Sequence, residues 1–437
     1  MLAPVSGASL AERYRAVRAR TTRLFDRVAP EAYYLRPIPL RHPFVFYEGH
    51  LAAFVVNKLF GEALGEPPRH AAFDRLFARG IDPVDKAAAE RVSVESWPTR
   101  DEVRKYVRQV EDRLYETLAA LDPDDPPHPW LAGGRLIDML IEHEFMHQET
   151  LLYLIHQLPH DLVRPPADYV EPPDGQAPAP RTVEVPAGTA LLGARPGEYR
   201  FVWDNELKAM EVSVPDFAID ATNVTNGQFM AFVEVGGYDR PEFWDESGWA
   251  WRVSAPASHP PFWRRSDGGW LYRGLFGDRP LPHAWPVFVS HAEARAFARF
   301  AGRELPTEPE WHRAAYGDMT TRYPGGDGPP TAASGNLDFA HWDPVAVGTY
   351  PGSASSRGVL DLLGNGWEWT ATPFAPFPGF RPDPAYPPYS ADFFDGAHFV
   401  LKGASMGTDA TLTRRSFRNW FFGHYPYVYA TFRLVER

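Results

Sequence analysis

Apolar positions recur at helical spacing through the first third of the chain. In SLAERYRAVRARTTRLFDRV, residues 9–28, Leu10, Tyr14, Val17 and Leu24 fall along one stripe, which predicts an amphipathic helix. A second helix is expected after the Gly49-His50 pair in FYEGHLAAFVVNKLFGEAL. A third is expected over RDEVRKYVRQVEDRLYETLAAL, after Pro98, and a fourth over LAGGRLIDMLIEHEFMHQETLLYLIHQL. Long segments of this kind predict a four-helix bundle. Gly49 is expected to permit a close or bent approach at the start of the second helix.

Between Leu158 and Arg181 the pattern stops. LPHDLVRPPADYVEPPDGQAPAPR holds prolines too often for a helix interior or a central strand, and marks the domain boundary. Beyond it come short strand-like runs such as RTVEVPAG, FVWDNEL and EVSVPDFAID, with helical pieces at TNGQFMAFVEVG and SHAEARAFARFAG. The expected organisation is a helical bundle over 1–160, a proline-rich linker over 161–184, and a large irregular α+β domain over 185–437.

Composition narrows the chemistry. Lys+Arg 44 against Asp+Glu 56 gives a formal net charge of −12, which argues against wrapping nucleic acid or lying on an anionic membrane. A hydrophobic fraction of 44% and an aromatic fraction of 14% are those of a globular chain. There is no cysteine. That excludes disulfides, thiolate nucleophiles, Cys-ligated zinc and iron–sulfur clusters, so any metal must be held by nitrogen and oxygen. Residues 1–20 show neither an apolar leader core nor a small-residue cleavage site, and no later stretch is continuously apolar for the length of a membrane span. A cytoplasmic location is therefore expected.

The sharpest chemical feature is HEFMHQE, residues 143–149. His143 and His147 lie four apart on one helical face and can offer two imidazoles to one ion, with His50 on the second helix as a third nitrogen. Such a site leaves coordination positions open. The competing reading is of packed or surface histidines that share a face. Glu142, Glu144 and Glu149 are either carboxylates orienting the imidazoles or solvent-facing charges. His143-Glu144-x-x-His147 is also a zinc-peptidase pattern. His156 and His160 fall where the helix ends and are expected to face solvent.

With those motifs in place the chain resembles the sulfoxide synthases of ergothioneine biosynthesis and their ovothiol-pathway relatives. The likeness covers nearly the whole chain: FYEGH and HEFMHQE, then WDNE at 203–206, NVTNGQFMAFVEVGGY at 223–238, LPTEPEWHRAA at 305–315, LLGNGWEWTATPF at 362–374, and LKGASMGTD with RRSFRNWFFGHYPYVYATFRL. It implies a DinB-like four-helix bundle followed by a formylglycine-generating-enzyme-like, C-type-lectin-like α+β domain that closes over the bundle. It also implies a non-haem Fe(2+) enzyme that uses O2 to join a cysteine-type thiol to the imidazole C2 of hercynine and oxidises the sulfur. The alternatives are an ovothiol-type 5-histidylcysteine sulfoxide synthase and a selenoneine synthase.

The resemblance assigns His50, His143 and His147 as iron ligands. Arg418, Asn419 and Trp420 fall to the imidazole substrate, the Trp420 ring suiting a quaternary ammonium. Arg104 and Arg108 are expected to meet a thiol substrate's carboxylate, with Tyr106 or Tyr115 donating a proton near bound oxygen. The bland counterpart is a solvated helix face for Arg104 and Arg108, a buried acid partner for Arg418, and core packing for Trp420, Trp367 and Trp369. Met146 stands where some relatives carry a substrate-contacting glutamine, and Phe421 where some carry an acid, which leaves free cysteine beside γ-glutamylcysteine as donor. Phe374 and Phe377 lie in a segment that is tyrosine-containing in several relatives. Expected partners are these small molecules only, with the chain a monomer or weak homo-oligomer.

Overall fold

The computed structural model describes residues 6–78, 97–255, 257–318 and 321–437. Residues 1–5, part of the segment read for a leader, lie outside them. The chain divides into two compact units, Met1–Tyr169 with Tyr199–Phe201, and Val170–Glu198 with Val202–Arg437.

The N-terminal unit is a helical bundle. Helix α1, Gly7–Phe25, starts at Ser6, whose hydroxyl accepts from the Ser9 N–H. Helix α2, Phe44–Val55, runs on into a π-helical stretch, Val56–Ala63, and the short α3, Ala71–Leu76, follows. Helix α4, Arg100–Ala120, opens on a Thr99/Glu102 capping box, and α5 spans Arg135–His156. Both α1 and α2 pack on α4 and α5.

Two expectations need correction. The second helix begins at Phe44, ahead of the Gly49-His50 pair rather than after it. Every residue of α2 is buried, Glu48 and His50 included, so the helix turns no face to solvent from which to read its phase. Gly49 therefore lies inside the helix, where an added Cβ would sit 2.5 Å from the Phe77 ring. His156 is 0% exposed instead of facing solvent, because the apolar run continues through Ile155 and Leu158 at the same depth.

The C-terminal unit is irregular α+β. It comprises β1 (Thr182–Val185), β2 (Gly188–Leu192), β3 (Met210–Val214), β4 (Phe217–Asp220), α6 (Asn226–Glu234), α7 (Glu246–Ser254), β5 (Trp263–Ser266), β6 (Gly269–Arg273), β7 (Asp278–Pro280), α8 (His291–Phe300) and α9 (Glu308–Tyr316). After these come β8 (Gly366–Pro373), α10 (Pro388–Ala391), β9 (His398–Ala404), β10 (Asn419–Phe422), β11 (Ala430–Thr431) and β12 (Val435–Glu436). The sheets are β1-β4-β12, β10-β9-β8-β11, β2-β3 and β5-β6-β7. Val183, Val185, Phe217, Ile219, Trp311 and Leu362 share a core cluster.

Two sequence expectations again shift. The last residues assigned to the linker already form β1, because Val183 pairs with Ile219 and buries. The strand-like FVWDNEL is a 3-10 turn at Asp204–Glu206, where the Glu206 carboxylate accepts from the Trp203 N–H. Buried guanidinium–carboxylate pairs tie distant segments of this unit together: Arg433 with Glu368, Arg414 with Glu206 and Arg418 with Glu308.

Candidate metal centre

Helix α5 presents His143 and His147 one turn apart, and α2 brings His50 to them. One ligand nitrogen from each lies within 4.8 Å of the others. The Nε2 atoms of His143 and His147 are 3.1 Å apart, and the His50 ring centroid lies 5.3 Å from that of His143 and 4.9 Å from that of His147. All three side chains are buried.

The walls are aromatic. Phe46 stacks on His50 at 5.1 Å and Phe54 on His143 at 3.6 Å, while the Tyr47 ring lies 5.9 Å from that of His147. These residues stand within one helical turn of His50, a spacing visible in FVFYEGHLAAF that the motif reading passed over. Phe77 was also missed, since nothing in the sequence marks its role: its carbonyl accepts the Nδ1 proton of His50 at 2.7 Å. That fixes the tautomer and leaves Nε2 as a buried lone pair with no partner among the described residues.

Electrostatics favour the unprotonated ligands. Burial, opposed by the Phe77 carbonyl and assisted by His42, lowers His50 to about 4. Burial and then His147, His50 and Lys58 hold His143 well below the ordinary value. Burial, then His50 and Arg41, does the same for His147. Adjacent nitrogens in a coordination sphere with metal–nitrogen bonds of about 2.1 Å sit roughly 3 Å apart, as His143 and His147 do. Neutral imidazoles crowded in a dry, aromatic-walled site, with an orphaned lone pair, fit a divalent cation.

Glu144 decides against the peptidase reading. Its Oε1 pairs with Arg18 at 2.8 Å and accepts from the Thr21 hydroxyl, so the carboxylate that should activate water is turned toward α1.

The remaining candidates scatter. Tyr106 and Tyr115 do not contact the histidine rings: the Tyr106 hydroxyl donates to Asp74 at 2.8 Å, and Tyr115 packs edge-on against Tyr14 beneath Arg15. They lie nine residues apart and so point to opposite sides of α4. Arg104 approaches Glu48 at 3.4 Å, Arg108 is exposed, and Met146 is half-buried on α5.

In the C-terminal unit, Arg418 pairs with a buried acid, one of the two readings open for it. Its Nε and Nη2 donate to Glu308 at 3.0 and 3.1 Å, and its Nη1 to the Asn205 and Ala375 carbonyls. It thereby anchors the start of β10. Asn419 accepts from the Trp420 N–H through its side-chain oxygen. Trp420 stacks on Phe374 at 4.2 Å, with Tyr389 and Phe393 beside it, and Phe421 stacks on Tyr425. Trp367 and Trp369 are core residues, the latter donating to the Val289 carbonyl.

A bundle that gathers three neutral imidazoles, ahead of an α+β unit, defines a mononuclear metal enzyme of the three-histidine type. The family model for the sulfatase-modifying factor enzyme 1-like domain matches residues 168–437, and that for the DinB superfamily matches residues 13–151. The chain is 34% identical over 428 residues to the hercynine oxygenase of Mycolicibacterium smegmatis, covering 94% of this chain and 95% of that one. It is also 34% identical over 430 residues to the hercynine oxygenase of Mycobacterium tuberculosis, covering 96% of each. The formylglycine-generating enzyme of Mycobacterium tuberculosis is 32% identical over 251 residues, 46% of this chain and 76% of that protein. The chain belongs to the hercynine oxygenase family of iron-dependent sulfoxide synthases, and its histidine triad is the site for the Fe(2+) cofactor.

Proposed function

We propose that this chain joins a cysteine-type thiol to the imidazole C2 of hercynine and oxidises the sulfur, with O2 as oxidant. The convergence of His50, His143 and His147, in a chain 34% identical nearly end to end to hercynine oxygenases, carries the reading. Ferrous iron held by the triad would supply a redox-active cation that favours thiolate and leaves positions for substrate and O2. The reaction balances. The ring C–H and thiol S–H bonds are lost and a C–S bond forms; one oxygen atom goes to sulfur and the other leaves as water with the two hydrogens. O2 takes four electrons, two for the new bond and two for the sulfoxide.

The chain's residues hold rather than react. Phe77 orients His50, and the Phe46, Phe54 and Tyr47 rings keep water from the imidazoles. Asn419 offers an amide to a substrate carboxylate. Trp420 offers a ring to a quaternary ammonium, its position fixed by Phe374 and by Arg418 bound to Glu308. Phe421, where some relatives carry an acid, offers no carboxylate to a γ-glutamyl amino group, which favours free cysteine.

The test supplies the iron-loaded full chain with hercynine or histidine, each with cysteine or γ-glutamylcysteine, and records product mass and the carbon bearing sulfur. The expected product is a C2-linked hercynine sulfoxide formed faster from cysteine. Attachment at C5 of histidine, or iron-supported turnover that gives only oxidised thiol, overturns the reading.

A further inference from the structure

The C-terminal unit holds a cavity of its own, about 150 Å³, bounded by β2, β3 and the end of α9. None of the residues given a role above lines it. Its inner wall is His312, 2% exposed, whose ring nitrogens make no well-formed hydrogen bond and have only the Leu191 backbone near them. Buried polar atoms in folded proteins almost always have partners, so an imidazole with an unpartnered nitrogen beside a cavity indicates a missing occupant. Burial, then Lys402, Arg415 and Arg418, keep this imidazole neutral against a weak opposing pull from the Leu191 backbone. It therefore presents one N–H and one lone pair.

The rest of the lining is equally unfinished. Arg415, 1% exposed, gives Nη1 to the Leu191 and Gly193 carbonyls and Nη2 to Glu198, but its Nε–H has no partner. Arg195 and Glu211 line the same cavity, are exposed, and make no ion pair with each other or with another described residue. Asp318, by contrast, is already paired with Arg313 and Arg357. The cavity thus offers a free cation, a free carboxylate, a guanidinium N–H and a neutral imidazole. An anion alone would leave Glu211 to water, and a cation alone would leave the buried Arg415 Nε–H without an acceptor. A cavity of this size takes a molecule about as large as benzene, which is the size of a small amino acid.

We propose that this cavity binds a small zwitterionic α-amino acid, its carboxylate toward Arg415, Arg195 and His312 and its ammonium toward Glu211. The occupant is a ligand of a second site, separate from the iron centre in the other unit. Water alone, or an anion alone, is the competing occupant.

Calorimetric titration of the metal-free full chain with L-serine tests it, since serine has the size of cysteine but no thiol to bind metal. L-Serine is expected to bind saturably, with acetate, methylammonium and inorganic phosphate each weaker by about tenfold or more. Arg195→Ala and Glu211→Gln, both at exposed positions, are each expected to weaken L-serine by about tenfold, and His312→Phe to abolish binding while thermal melting reports the fold. No saturable binding at about 10 mM overturns the proposal. So does phosphate binding as tightly as L-serine, or L-serine affinity unchanged in Arg195→Ala and Glu211→Gln.

Discussion

One backbone oxygen decides which nitrogen His50 offers. The Phe77 carbonyl takes the Nδ1 proton, so Nε2 is committed as a ligand. His291 shows the same physics without a metal role. It is 2% exposed, stacks on Phe399 at 3.7 Å and donates from Nε2 to the Thr370 carbonyl. Burial and then Arg295 lower it to about 3, whereas the unfolded histidine titrates at about 6.5. Between those values the unfolded chain binds the extra proton, so stability present above about pH 6.5 is lost as the pH falls toward 3. Asp343, raised to about 7 by burial, pulls the other way over the upper part of that range. Comparing His291→Gln with the native chain isolates the histidine: the fall in urea midpoint between about pH 6.5 and 4.5 should be shallower in the variant, and equal slopes contradict the assignment.

At the scale of elements, α2 is the part of the site on which the others converge. Phe77 is fully buried among Phe46, Trp97, Phe73 and Tyr106, so it cannot swing aside for a methyl group at position 49. Gly49→Ala should cost about 1–3 kcal/mol of stability. It should also weaken iron binding, because the displaced residue carries the carbonyl that orients His50. Chemical denaturation with an iron titration checks both, and an unaltered midpoint contradicts the packing. The same helix marks where the sequence was hard to read. The i, i+4 pair on α5 was legible because its period is set by the helix itself. The start of α2 was not, because burial on every side erased the alternation that gives phase. FVWDNEL misled for a related reason: its apolar residues are buried by a turn held through Glu206, a contact with no period.

Over the whole molecule, the ordered series of motifs from FYEGH to the C-terminal aromatic run carried the family reading, and chain-long similarity supports it. Contacts between positions far apart in sequence were beyond such reading. Glu308 and Arg418 stand 110 positions apart, so a buried acid could be expected for Arg418 without its position being legible. No described helix is long and apolar enough to cross a membrane. The absence of cysteine means that no protein thiol competes for the metal, and the sulfur must arrive with substrate. The most direct measurement is an anaerobic ferrous titration of the full chain beside His147→Ala, read by bound iron per chain. One ferrous ion per native chain, lost in the variant with the fold retained, is the expected result. Full iron occupancy in the variant, or stoichiometric zinc in the native chain with no iron-supported turnover, contradicts it.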